Sequence, residues 1–266
     1  MFQKIKLIGF YLVLLSLVFS SCSEYQKILK SSDYELKFEK AKEYYEDEDY
    51  ARAISLFDEL LSIYKGTSKA EDIYFYYASC HYGQKDYILA GHYYRNFART
   101  FPLSTRAEEA EYIGAYCYFL DSPKYSLDQT FTLKAIEEMQ YFINKHPESE
   151  RIGEANEIID KLRGKLEKKS FKSARLYFDL GNYKAAIVAL KNSLKEFPDS
   201  EFREETLFLI VKSNFLLASN SVTSKKKERY NSTIDEYYIF ANAFPKSEKN
   251  KEAKKIYENS KEFVEK

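Results

Sequence analysis

Phe197-Pro-Asp-Ser200 is one of four copies of the same short corner, and Phe101-Pro-Leu-Ser104, His146-Pro-Glu-Ser149 and Phe244-Pro-Lys-Ser247 repeat it elsewhere in the chain. The copies use four of the five prolines in the molecule. Proline cannot continue a helix, and it pushes the residue before it out of the helical region, so each corner marks a place where a helix must stop. A stop that recurs at intervals of tens of residues is the signature of an array of equivalent units.

Stepping back fifteen residues from each of these prolines reaches Tyr87, Thr132, Tyr183 and Tyr230. The same step exposes a fifth copy without proline, in which Tyr50 stands fifteen residues before Lys65 and Tyr64-Lys65-Gly-Thr-Ser68 fills the corner with one extra residue. From these anchors, position +3 is Ala53, Ala90, Ala135, Ala186 and Thr233, position +4 is Ile54, Gly91, Ile136, Ile187 and Ile234, and position +7 is Phe57, Tyr94, Met139, Leu190 and Tyr237. Offsets of 0, 3, 4 and 7 form one face of an α-helix, with a small residue where a neighbouring backbone comes close. A second helical stretch precedes each of these, over 38–45, 72–82, 107–120, 171–180 and 206–218. Ser104 with Glu108 and Ser200 with Glu204 read as helix N-caps.

Helix, short turn, helix, proline resembles the tetratricopeptide repeat, most clearly at Gly181-Asn-Tyr183-Lys-Ala-Ala186-Ile and Lys85-Asp-Tyr87-Ile-Leu-Ala90. The corners at 65, 102, 147, 198 and 245 lie 37, 45, 51 and 47 residues apart, longer than the usual period of about 34. The extra length falls in a loop over 121–130, a charged helix over about 150–169, and residues 219–229. The expected fold is therefore all-α, a superhelical solenoid of five tetratricopeptide-like helix pairs with a C-terminal capping helix over about 249–264. The acidic run 46–49 and the basic run 225–229 read as solvated turns.

Composition agrees with helices. The 266 residues are 45% apolar and 17% aromatic with only 8 glycines, which suits neither turn-dense β folds nor long disordered linkers. Lys+Arg and Asp+Glu both number 41, so no global field draws nucleic acid, and no nucleic-acid partner is expected.

Residues 1–22, MFQKIKLIGFYLVLLSLVFSSC, combine Lys4 and Lys6, an uncharged run from Leu7 to Phe19, and small residues leading to Cys22. This is a secretory signal, too short to span a bilayer. It resembles the bacterial lipobox, with Phe19 where Leu is usual, and the resemblance implies that Cys22 is acylated and becomes the first mature residue. Ser23 is not the Asp that retains lipoproteins at the inner membrane, which favours the outer membrane. The division expected is a signal peptide over 1–21, a lipidated linker over 22–32, repeats 1–3 over 33–147, and repeats 4–5 with the cap over 148–266.

No nucleotide loop, nucleophile elbow, His-Glu-x-x-His or Cys-x-x-Cys is present, so no enzyme, cofactor or metal site is expected. Cys80 and Cys117 hold equivalent positions in neighbouring first helices. Packed helix axes lie about 8–10 Å apart and a disulfide needs Cα atoms within roughly 4.4–6.8 Å, so two buried thiols are preferred over a disulfide. The aromatic run Ile73-Tyr-Phe-Tyr-Tyr77 supplies a candidate peptide-binding face, Tyr74, Tyr77 and His81, at i, i+3 and i+7. The competing reading is that these side chains pack on Tyr44 and Tyr45 of the preceding repeat.

Lipobox, short linker, five unequal repeats, and the long helix over 150–169 running into Ser173-Ala-Arg-Leu-Tyr-Phe-Asp-Leu-Gly-Asn-Tyr183 together resemble the BamD family of outer-membrane assembly factors, over roughly residues 22–218. The resemblance implies a non-enzymatic scaffold, lipid-anchored on the periplasmic face of the outer membrane. It further implies docking on a BamA-type insertase through the C-terminal repeats, partnership with other assembly lipoproteins, and reception of unfolded β-barrel precursor C-termini by the N-terminal repeats. One position departs: an insertase-contacting Arg of the family aligns with Ala189, so that contact is absent or replaced here. The alternative is another cell-envelope tetratricopeptide lipoprotein organising peptidoglycan or secretion machinery. If Cys22 carries the anchor, Cys22→Ser abolishes palmitate labelling and moves the protein from the membrane to the soluble fraction; membrane retention of an unlabelled variant contradicts the assignment.

Overall fold

The computed structural model describes residues 24–266, so Cys22 and the signal segment lie outside the described residues. Within them the regular structure is entirely helical. After α1 (residues 24–30) come α2 (Tyr34–Glu46), α3 (Tyr50–Ile63), α4 (Lys69–Gly83), α5 (Tyr87–Thr100), α6 (Ala107–Asp121), α7 (Thr130–Lys145), α8 (Ile152–Asp179), α9 (Tyr183–Glu196), α10 (Arg203–Ser219), α11 (Thr223–Ala243) and α12 (Asn250–Glu265). The pairs α2/α3, α4/α5, α6/α7, α8/α9 and α10/α11 are the five expected repeats, and α12 is the cap. No helix among the described residues is long and apolar enough to cross a membrane.

The small-residue position of the repeat is sealed in every copy, with Ala53, Ala90, Ala135, Ala186 and Thr233 all at 0% exposure. Gly91 replaces isoleucine at the next position for a local reason. A Cβ there would lie 3.0 Å from Cys117 Cβ and 3.3 Å from the Gly114 carbonyl, so α5 and α6 approach more closely than a branched side chain permits.

The proline corners work as their chemistry requires. Phe101, Phe197 and Phe244 precede proline and take ψ of 63°, 75° and 65°, whereas Tyr64, which precedes Lys65, keeps ψ at 10°. Each corner is a turn closed between its first and fourth residues, as in Ser104 N–H to Phe101 O at 3.0 Å and Ser247 N–H to Phe244 O at 3.1 Å. In the first repeat the amide that closes the turn is that of Thr67, bonded to Tyr64 O at 3.0 Å. The corner therefore contains no extra residue: Thr67 occupies the serine place, and Gly66, at φ +82°, supplies the turn where proline is missing.

The corner serines do not cap helices as the sequence suggested. Ser104 Oγ accepts the Arg106 amide two residues on, at 3.0 Å, and donates to Glu71 of α4 at 2.6 Å. Ser149 binds the Arg151 amide at 3.2 Å and Glu108 of α6 at 2.6 Å; Ser247 binds the Lys249 amide at 3.0 Å and Glu204 of α10 at 2.5 Å. In the fourth corner, Glu167 of α8 accepts the Glu201 amide at 2.7 Å. The first helix of one repeat is thereby latched to the corner that opens the next. Four residues beyond the latching glutamate stands an aromatic ring, and the second residue after the serine covers it in three of the corners. Arg106 lies over Phe75 at 4.6 Å, Arg151 over Tyr112 at 4.7 Å, and Phe202 stacks on Phe171 at 4.7 Å.

Within a repeat, the turns of pairs one, two and four share a left-handed residue two before the anchoring tyrosine: Glu48 at φ 60°, Lys85 at φ 62° and Gly181 at φ 76°. Bonds from Asp49 N–H to Tyr44 O, Asp86 N–H to His81 O and Asn182 N–H to Tyr177 O close each as a Schellman cap. Asp49 and Asp86 then cap the following helices through the Arg52 and Leu89 amides. The acidic run thus ends in a turn, but the basic run does not. Residues 225–229 are helical in α11, because lysines are good helix formers and nothing in that stretch breaks a helix.

The chain forms two compact units. The first holds the described residues through Pro123 together with Thr130–Ile159, and the second holds Lys124–Gln129 and Asp160–Lys266. In the first unit, α2–α5 bury Phe38, Phe57, Ile73 and Phe97, and Lys37, only 1% exposed, is paired with Glu59 at 2.6 Å. In the second, Phe171, Leu190, Phe208 and Phe240 centre the core, with Ala253 and Ile256 of α12 closing it. The inserted loop of repeat three is a packing element of this unit: Gln129 Nε2 donates to the Lys124 and Leu127 carbonyls, Lys169 of α8 donates to the Leu127 carbonyl, and Lys168 covers the Tyr125 ring.

Replacing Glu71 by Ala removes one latch and leaves Arg106 without one of its two carboxylates. A loss of about 1–3 kcal/mol in unfolding free energy is expected from a charge-assisted bond of this kind. Urea denaturation measures it, and an unchanged midpoint contradicts the role given to the latch.

Candidate binding surfaces

Helix α4 carries aromatic or small side chains on nearly every face, and the structure distributes Tyr74, Tyr77 and His81 between different neighbours. Tyr77 is 6% exposed; its hydroxyl donates to Asp58 of α3 at 3.2 Å and its ring meets Tyr93 of α5 edge-on at 4.7 Å. His81, also 6% exposed, stacks on Tyr93 at 5.2 Å and meets Tyr77 at 4.9 Å. Tyr74 turns toward the next corner and packs edge-on against Phe101 at 5.6 Å. Tyr77 and His81 therefore lie together, while Tyr74 belongs to a separate cluster. Tyr44 meets Tyr25, and Tyr45 meets Tyr50 and Tyr76, and both pack beside the buried cluster that includes Tyr77. The side chains left accessible beside this cluster are Tyr93, half-buried, and His92, exposed on α5.

Burial governs the chemistry of the cluster. Both ring nitrogens of His81 are buried without a hydrogen-bond partner, and desolvation lowers its pKa, with Asp86 and Asp58 acting in the opposite direction. Burial likewise raises the Tyr77 hydroxyl above the ordinary tyrosine range. Cys80 and Cys117 are free and buried, and desolvation pushes both thiols up to about 12, which leaves them protonated and unreactive.

A second surface lies in the other unit. The end of α8, the Gly181-Asn182 turn, the first half of α9 and the end of α10 enclose a groove of about 740 Å³. Tyr177, Val188, Ala189 and Leu217 make its apolar walls, and Lys184 and Asn192 edge it. Leu180 at 65% and Val188 at 56% exposure are among the more open apolar side chains described. Sequence periodicity hid this groove, because both residues sit outside the repeating core positions. The signal that could have found it is Val188 at +5, on the face opposite Ala186 and Leu190. Ala189 lies in the apolar wall.

Helix pairs joined by corner latches, with open grooves beside them, define a helical-repeat protein of the tetratricopeptide type. Residues 31–230 match the family described as YfiO, outer membrane lipoprotein, and the chain belongs to that family. It is 27% identical over 251 residues to a putative outer membrane protein assembly factor BamD of Aquifex aeolicus, covering 94% of this chain and 80% of that one. It is 25% identical over 147 residues to the outer membrane protein assembly factor BamD of Caulobacter vibrioides, covering 54% of this chain and 48% of that one. A solved structure, the TPR2AB domain of yeast Sti1 in complex with a pHSP90 peptide, aligns at 12% identity over 86% of this chain and 99% of that one, with a TM-score of 0.38.

Because His81 has a lowered pKa in the folded state, the unfolded chain binds the proton more readily. Stability is then full above the unfolded pKa of about 6.5 and falls as pH drops through the folded value. The wild type is expected to lose stability between about pH 7 and pH 5, and His81→Phe to lose less over that interval. Parallel pH profiles in thermal unfolding contradict this.

Proposed function

We propose that the protein is a non-enzymatic scaffold for assembling β-barrel proteins in the outer membrane. In this reading the chain is tethered at the periplasmic face through an acylated Cys22. Repeats 1–3, over 33–147, receive unfolded precursors, and repeats 4–5 with the cap, over 148–266, dock on a BamA-type insertase alongside other assembly lipoproteins. The observation that carries the reading is the family match over residues 31–230, joined to relatives whose names describe outer-membrane protein assembly.

The groove beside α9 is the docking surface we assign to the insertase. Its walls are apolar where the family has a charged contact, so an apolar contact around Val188 and Ala189 replaces the ionic one. Burying one aliphatic side chain contributes about 1.5–3 kcal/mol, enough to matter in a partner interface built on a few anchoring residues. For the tyrosines of α4, the part assigned is structural support. Tyr77 and His81 hold α4 against α3 and α5, and Tyr93 and His92 are the accessible side chains beside them.

Depletion of the protein, followed by counting folded barrels in the outer membrane, tests the reading; unchanged barrel levels overturn it. Val188→Glu places a carboxylate in the groove at an exposed site, so the fold is expected to persist while insertase co-purification falls about tenfold or more. Full recovery of the insertase with this variant moves the docking surface elsewhere.

A further inference from the structure

Helix α1 is docked on the first repeat. Ile28, 6% exposed, enters the core formed with α2 and α3, and Tyr25 and Leu29 pack at its margin. Tyr25 meets Tyr44 edge-on at 5.8 Å. The Arg52 guanidinium lies over both rings, at 5.4 and 5.5 Å, while paired with Asp49 at 3.1 Å. Glu24 stands 4.0 Å from Lys40. Tyr44 belongs to the last turn of α2, and Asp49 and Arg52 open α3, so the first turn of α1 lies at the end of the repeat where α2 gives way to α3. The other end of α1 is fixed as well. The Ser31 amide donates to the Ile28 carbonyl at 3.0 Å, and Asp33 caps α2 through the Leu36 amide at 3.0 Å.

Only Ser23 separates Cys22 from Glu24, and the chain between them spans at most about 7 Å. A lipid carried by Cys22 buries its acyl chains in the hydrocarbon, which leaves the residue itself at headgroup level. A flexible linker of roughly a dozen residues would allow about 20 Å of reach. Here a helix held by ring and ion contacts begins two residues after the anchor, and the tether has no slack. The α2–α3 end of the repeat also carries its own charge pattern. Glu46, Asp47 and Glu48 are exposed and form no ion pair among the described residues, whereas Asp49 is taken by Arg52. Tyr25, Tyr44 and Tyr50 lie half-buried beside them.

We propose that the acidic turn between α2 and α3 stands against the membrane surface, and that its partner is a zwitterionic headgroup layer. The tether length fixes which end of the first repeat meets the bilayer, because the docked start of α1 and this turn share that end. Charge selects the headgroup. Three unpaired carboxylates repel an anionic surface, and they suit the outward ammonium groups of phosphatidylethanolamine or phosphatidylcholine. Tyrosine rings, apolar in body and polar at the hydroxyl, suit the boundary between headgroups and water. The anchor thereby does more than retain the protein: it sets which end of the first repeat faces the bilayer. The placement rests on the proposed function in one respect, the acylation of Cys22.

The test uses the whole mature lipoprotein in vesicles of phosphatidylethanolamine and phosphatidylcholine that contain a headgroup-labelled acceptor lipid. Cys80 and Cys117 are buried, so a donor dye attaches selectively at Asp47→Cys or, beyond the far end of α3, at Lys65→Cys, both exposed positions. Helix α3 has 14 residues and is about 20 Å long, so energy transfer is expected to place the Asp47 donor about 10–20 Å nearer the headgroups than the Lys65 donor. An insertion of roughly twelve Gly/Ser residues between Ser23 and Glu24 is expected to lengthen the Asp47 distance by about 10–20 Å. Replacing part of the lipid by phosphatidylglycerol is expected to lengthen it as well, through repulsion. Equal distances for the two donors, or an Asp47 distance that the insertion leaves unchanged, overturns the placement. A distance that stays the same or shortens on phosphatidylglycerol overturns the zwitterionic assignment. Circular dichroism of each variant confirms that a change is not unfolding. If the wild type takes up no palmitate, the anchor and the placement fall together. If it takes up palmitate and the two donors lie equally far from the surface, the placement alone falls, and barrel levels on depletion still decide the proposed function.

Discussion

A glutamate on the first helix of each of repeats two to five accepts a hydrogen bond from the corner that opens the next element, and the rest of the architecture depends on that contact. Glu71, Glu108 and Glu204 take serine hydroxyls, and Glu167 takes a backbone amide. The sequence separation between partners varies between 33 and 43 residues, yet the local geometry is conserved. This is how the chain tolerates unequal periods. The added length lies in the loop before α7, in α8 and at the start of α11, and the latches are made all the same.

The latch also explains why the corner is built as it is. Proline ends the helix, the turn brings the serine back under the preceding pair, and the hydroxyl then has two duties, accepting an amide two residues on and donating to the glutamate. A cation or a ring two residues later covers the aromatic side chain on the same helix face. Where proline is missing, Gly66 and Thr67 recover the turn through a positive φ. The binding surfaces follow from what this leaves uncovered. The outward faces of α7 and α9 take no part in the latches and leave Tyr141 and Val188 exposed.

How much could be read beforehand differs sharply between levels. Helix pairs, corners and the sealed small position were legible because each is a one-dimensional pattern: a stop signal, a period of 3.6, an alanine at fixed offset. The N-cap reading of Ser104 and Ser200 failed because a Ser-x-x-x-Glu spacing does not reveal whether the nearest glutamate is the one in sequence or the one on the preceding helix. The neighbours of Tyr74, Tyr77 and His81 were illegible for a related reason. Tyr74, Tyr77 and His81 share a stripe on an isolated α4, but α4 is flanked by α3 and α5, and the stripe is divided between them. The grooves were invisible because each is assembled from several helices, none of which shows a concavity alone.

By itself, the sequence determined that the chain is a series of helix pairs, where each helix ends, and that its N-terminus resembles a lipoprotein signal, because these follow from local conformational limits and from periodicity. Only the tertiary structure decided which glutamate holds which corner, that Cys80 and Cys117 are free thiols, and which aromatic and basic side chains stay open. Those outcomes depend on distances between residues far apart in sequence, set by how closely helices such as α5 and α6 can approach at Gly91 and Gly114.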